Sequence, residues 1–265
     1  MAQANLSIQD YLKYINLQMA AESMFGVAHD ALGDAYAVDG NGGRGSGPGV
    51  NKQEIDILTY GNNRSSKFTN TLFEQFRAEG WTVKKHLNNT ASGFSATLFE
   101  KGGEMVLSFR STEFIDDVIR DSKATNELQV RPHGWAFSQI DDMRAWVDTL
   151  SAQGVLGADK KVTVTGYSLG AHLAAAFNIL YPELVTKTFT FNGAGVGTVN
   201  GKGRENLVKE DLLGVMLTFR AYSKTDANTD LLTHPDFMAW HDKCQSKFTN
   251  TASLDLYSSA EAHTP

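Results

Sequence analysis

Five residues near the middle of the chain carry the strongest chemical signal. Gly166-Tyr167-Ser168-Leu169-Gly170 fits G-x-S-x-G, and its flanks supply the setting the motif requires. Lys160 to Thr165 is β-branched and reads as a strand, while Ser168 to Tyr181 is alanine-rich and reads as a helix stopped by Pro182. A turn this tight forces a strained backbone on Ser168, and glycines at 166 and 170 leave room where side chains would clash. The Ser168 hydroxyl is then lifted to the top of a sheet, at a helix N-terminus whose N–H groups favour a developing negative charge. The chemistry implied is nucleophilic attack with a covalent intermediate. The plainer alternative is a serine that only caps the helix.

A nucleophilic serine needs a base, and the base needs a carboxylate to orient it. In a strand–elbow–helix setting the chain order is Ser, then Asp or Glu, then His. That order excludes His29, His86 and His133. His172 falls one turn into the helix and reads as a surface histidine. His234, His241 and His263 are left. Val215 to Tyr222 reads as a strand, and Asp226 just past it is the expected carboxylate, with Asp230 second. Asp226 to Asp230 also resembles the start of a calcium loop. Leu231 and Phe237 hold its sixth and twelfth positions, which rules out an EF-hand and leaves only a looser Ca2+ site as an alternative. Asp236 to Trp240 could form a short last strand with His241 beyond it, so His241 is the expected base. The alternatives are His263, at the end of a closing helix over 251–262, and a histidine beyond Pro265. No cofactor is required.

The elements that must position these residues are visible along the chain. Ser7 opens a helix, with Asp10 three residues on as a loose capping box, and Ile8, Leu12, Ile15 and Met19 recur at helical spacing. Trp81 to Leu87, Phe94 to Phe99 and Glu104 to Arg110 read as strands, the last two joined by a Lys101-Gly102-Gly103 hairpin. Phe137, Ile140, Met143, Val147 and Leu150 mark an amphipathic helix. Thr186 to Asn192 reads as another strand. Strands alternating with helices predict an α/β protein, with a mostly parallel central sheet and helices on both faces. Residues 40–49, rich in glycine, read as a flexible loop. Gly40-Asn41-Gly42-Gly43-Arg44-Gly45 fits a dinucleotide fingerprint, but the glycines and Pro48 after it allow no helix to open.

The chain has 265 residues, enough for one large domain spanning 1–265. Its 42% hydrophobic and 20% charged residues are ordinary globular composition. A net charge of −6 gives no footprint for nucleic acid. No apolar run approaches the ~18 residues of a membrane span. The single cysteine, Cys244, excludes an internal disulfide and cysteine-built metal sites.

With these residues in view, the chain resembles the class 3 lipase family of α/β-hydrolases, over roughly residues 90–230. Val106-Leu107-Ser108-Phe109-Arg110-Ser111-Thr112 is similar to the family strand ending in Phe-Arg-Gly-Thr. Asp117 and Asp121 are similar to its spaced aspartates, and His133-Gly134-Trp135 to its His-x-Gly-Phe segment. Asp226 follows Ser168 by 58 residues, a similar serine-to-aspartate distance. The resemblance implies an α/β-hydrolase fold and an oxyanion hole formed by Thr112 and the N–H of Leu169. It also implies a lid over 113–123, whose Phe114, Ile115, Val118 and Ile119 suit an apolar flap. An ordinary surface helix is the alternative for that stretch. Tyr167, Ala171 and Ser111 depart from the family pattern, Ser111 standing where a glycine precedes the oxyanion threonine.

The expectation is therefore a serine hydrolase of carboxylic esters, acting on small-molecule or lipid esters with transient contact at a lipid interface. Ser168, Asp226 and His241 would be its catalytic residues. A thioesterase, a peptidase and a non-catalytic binding module on the same fold are the alternatives. The N-terminus lacks a secretory signal, which fits export without one, as for the catalytic part of a bacterial secreted lipase, or a cytoplasmic location.

Overall fold

The computed structural model describes residues 7–23, 25, 68–90, 92–111, 129–130, 134–199, 201–203 and 206–223. In chain order they form α1 (Ile8–Ala21), α2 (Asn70–Ala78), β1 (Thr82–Leu87), β2 (Ala96–Lys101), β3 (Glu104–Phe109), α3 (Phe137–Ala152), β4 (Val162–Tyr167), α4 (Leu169–Leu180), a 3-10 turn at Pro182–Leu184, β5 (Val185–Phe191) and α5 (Lys209–Ser223).

The strands make one sheet in the order β1-β2-β3-β4-β5. β1 and β2 pair antiparallel, as do β2 and β3, whereas β3, β4 and β5 pair in parallel. The sheet is thus mixed, with only β2 running against the other strands. The hairpin between β2 and β3 forms as its residues require. Lys101 pairs with Glu104 across Gly102 and Gly103, at φ 55 and 87, the two left-handed positions of a primed turn.

Period-two alternation splits the strand side chains between two cores. Leu98, Leu107, Val162 and Val164 face α3, α4 and α5. Phe99, Val106 and Phe189 face α1 and α2. Helices cover both faces of the sheet, and the chain is an α/β protein as expected.

α1 starts as its sequence predicts. The Ser7 hydroxyl accepts from the Asp10 N–H at 3.2 Å, and the Asp10 carboxylate accepts from the Ser7 N–H at 2.9 Å, a complete capping box. The residues whose spacing announces this helix are not the ones it buries. Ile8 is 79% exposed and Leu12 53%, while Tyr14, Leu17, Gln18, Ala20 and Ala21 form the inner face. Tyr14 decides the rotation. Its ring stacks on Phe189 at 4.1 Å, and its hydroxyl donates to Glu104 at 3.0 Å, beside the Lys13–Glu104 ion pair.

A second correction falls on residues 215–222. They continue the helix α5 rather than forming a strand. Among the residues of α5 whose burial is described, Leu212 and Met216, one helical turn apart, are buried in the core that α3 and α4 share. A short apolar run fits strand and helix alike by its residue types, and here it is helical.

Candidate active site

Ser168 stands between the last residue of β4 and the first of α4. Its backbone lies at φ 52 and ψ −117, a region that costs a non-glycine residue roughly 1–3 kcal/mol. Main-chain bonds from three directions hold it there. The Ser168 N–H donates to the carbonyl of Phe191, at the end of β5, at 3.0 Å. The Ser168 carbonyl accepts from Ala171 at 3.1 Å, His172 at 3.2 Å and Ala194 at 3.2 Å.

The flanking glycines are obligatory. A Cβ on Gly166 would stand 2.1 Å from the carbonyl oxygen of Gly170. A Cβ on Gly170 would stand 2.3 Å from the oxygen of Phe109 and 2.9 Å from that of Arg110. The helix therefore seats its first turn directly on the end of β3.

Ser168 does not cap this helix. Its side chain makes no bond to the first turn, and its φ is positive. Ser7, at φ −87 with its hydroxyl on Asp10, shows what a capping serine in the same chain looks like. The Leu169 and Gly170 N–H groups open α4, where no intrahelical carbonyl can reach them. With the helix dipole behind them they suit an anion beside the half-buried Ser168.

His172 is not the surface histidine its position suggests. It is 1% exposed. Its Nδ1–H donates to the Gly195 carbonyl at 2.5 Å, and its Nε2 accepts from the Ala136 N–H at 3.1 Å. The Trp135 ring lies 5.6 Å away. α4 is apolar on nearly every face and covered on its outer side by α3 and α5, so the histidine has no solvent to face. Both nitrogens are committed, and burial pushes the imidazole down to about 4. His172 is a neutral strut that ties the loop after β5 to the loop before α3. The Gly197 N–H reinforces the tie, donating to the Gly134 carbonyl at 2.9 Å.

This burial predicts a pH dependence. The folded value lies below the unfolded one, near 6.5, so the stabilisation is fully present above pH 6.5. As pH falls toward 4 the unfolded chain takes up a proton that the folded chain refuses. Stability should drop by about 1.4 kcal/mol per pH unit across that window for this group. His86 adds to the same trend, because burial and the Arg110 charge push it down to about 3. Thermal unfolding between pH 7 and 4.5 should show the slope, and His172→Gln should flatten it. Equal slopes in the two proteins would refute the assignment.

The other expected site residues divide. Leu169 is in place. Among the described residues the histidines are His86 and His172, and neither serves Ser168. His86 sits on β1 with Nδ1 2.9 Å from the Thr97 hydroxyl. Thr112, the 113–123 segment, His133, Asp226, Asp230, His234, His241, His263, Cys244 and the 40–49 loop lie outside the described residues. The strand that argued for Asp226 is replaced by α5, so that support is withdrawn. Ser111 turns its hydroxyl inward onto Glu22 at 3.0 Å. Among the described residues no group of His, Cys, Asp and Glu stands ready for a metal, and no helix is long and apolar enough to cross a membrane.

Sequence reasoning passed over Asn192, beside the elbow, and Glu22, which holds Ser111. Asn192 follows β5 at φ 45, and its side-chain amide donates to the Tyr167 hydroxyl at 3.4 Å. Glu22 is fully buried behind β3. No pattern of spacing marks Asn192. Glu22 carries a faint signal, an acidic residue one turn after Gln18 at the end of an apolar helix.

No protein-family profile and no curated protein matches the chain. Among solved structures, a lipase–propeptide complex of Rhizomucor miehei aligns with 71% of this chain and 53% of that one, at 12% identity and a TM-score of 0.35. The alignment spans about half of that chain, and at this similarity it transfers neither a fold name nor an activity.

Proposed function

We propose that this chain is a serine hydrolase of the α/β-hydrolase fold that cleaves carboxylic esters, lipid acyl esters among them. One observation carries the reading. A serine at a helix N-terminus holds a strained backbone, leaves its helix uncapped, and is walled by two glycines that cannot be replaced. Strain maintained without a structural return is a mark of functional positions.

In this reading Ser168 Oγ attacks the ester carbonyl while an imidazole takes its proton. The expected base is His241, held by Asp226. The Leu169 N–H receives the oxyanion, with Thr112 as its expected partner. The alcohol leaves with the proton, an acyl-serine remains, and water releases the acid. The resemblance of Val106–Thr112 and of the elbow to class 3 lipases supports an acyl ester as substrate.

Two measurements test it together. A fluorophosphonate probe should add once per chain, and peptide mapping should place the adduct on Ser168. The same preparation should hydrolyse p-nitrophenyl butyrate and palmitate, and the ratio of the two rates sets esterase against lipase. A chain that takes up no probe and turns over neither ester overturns the reading of this chain as a complete hydrolase, in favour of a binding module or a base that lies beyond Pro265.

A further inference from the structure

A buried carboxylate from the N-terminal helix holds the end of β3. Glu22 caps the C-terminus of α1 and is 0% exposed, a rare position for a charged residue. Its Oε1 accepts from the Ser111 N–H at 2.9 Å, and its Oε2 accepts from the Ser111 hydroxyl at 3.0 Å. The Gln18 amide donates to Oε1 at 2.5 Å. The Glu22 carbonyl accepts from Arg110 Nη2 at 3.1 Å, and Arg110 Nε stands 4.0 Å from Oε2. Gln18, Arg110 and Ser111 are buried with it.

Such a cluster is a poor source of stability, because desolvating the ions offsets their attraction. What it supplies is position. It grips both main chain and side chain of Ser111, just past the Phe109 and Arg110 carbonyls on which Gly170 rests. Those carbonyls are the floor under the first turn of α4, the turn whose N–H groups lie beside Ser168. A shift of the β3 end would move that turn or open the contact beneath it.

We propose that Glu22, with Ser111 as its counterpart, is a positioning residue for the Ser168 centre. It sets β3 against the elbow from the opposite face of the sheet, and α1 is thereby part of the reacting apparatus. This rests on the reading of Ser168 as a nucleophile.

The test compares wild type, Glu22→Gln, which keeps shape and removes charge, and Ser111→Ala, which removes one donor. Initial rates on p-nitrophenyl butyrate are divided by the sites titrated with the fluorophosphonate, and thermal unfolding is recorded alongside. Glu22→Gln should lower kcat per titrated site about 10- to 100-fold, with KM changed less than about twofold, as expected for a misplacement on the ångström scale. Ser111→Ala should shift kcat in the same direction by about 3- to 10-fold. Variants with wild-type kcat per site and only a lower melting temperature would reduce Glu22 to a structural brace. Should Glu22→Gln fail to fold, Ser111→Ala decides alone, and a wild-type kcat there overturns the proposal. A wild type that neither labels nor turns over brings down the Ser168 reading and this one with it. An active wild type with unchanged variants removes only the role of Glu22.

Discussion

Ser168→Ala should fold like its parent and lose the chemistry. The hydroxyl makes no capping bond, and the backbone bonds that hold residue 168 run through its N–H and carbonyl. Alanine keeps the same Cβ and the same strain at φ 52. The melting temperature should therefore stay within about 2 °C, the scale of a near-neutral substitution. Hydrolysis of p-nitrophenyl butyrate should fall by about four to six orders of magnitude, the usual scale for removing a nucleophile, and the fluorophosphonate adduct should vanish. A variant that loses several degrees and keeps its activity would return Ser168 to a structural role.

Gly170→Ala should be strongly damaging for so small a substitution. The new methyl would meet two main-chain oxygens of β3 at 2.3 and 2.9 Å, and neither can swing aside as a side chain could. β3 is also held from behind, through Ser111 on Glu22. The helix must back away from the sheet, at an expected loss of at least about 3 kcal/mol. Gly214, within α5, provides the control. A Cβ there meets nothing within 4 Å, so the same glycine-to-alanine change should stabilise by roughly 0.5–1 kcal/mol. Urea unfolding of both variants checks the pair, and a Gly170→Ala protein as stable as its parent would contradict the geometry.

The elbow was legible in the sequence because its requirements are local. Strand, tight turn and helix follow one another within a few residues, and the glycines needed are part of the motif. The hairpin at Lys101–Glu104 was legible for the same reason. Four features were hidden, each set by a distant partner. The inner face of α1 is chosen by Phe189 and Glu104, far along the chain, and so Gln18 and Ala21 are buried while Ile8 and Leu12 are not. Residues 215–222 fit a strand as well as a helix by their types alone, and Leu212 and Met216 pack into the core on the helical register. His172 looked exposed because one helix face is usually wet, yet layers on both sides enclose α4. Glu22 had no visible role because its counterpart, Ser111, lies 89 residues away.

Among the described residues, the bonds around residue 168 join main-chain atoms only: its own N–H and carbonyl, Phe191, Ala171, His172 and Ala194. The shape of the turn is thus independent of which reactive atom the residue presents. A lineage could exchange oxygen for sulfur at this position, or drop the reactive atom altogether, without rebuilding the support. The glycines at 166 and 170 allow no such exchange. Across descendants of this chain the support should change more slowly than the chemistry it presents, and the two glycines would persist in copies that had long ceased to react.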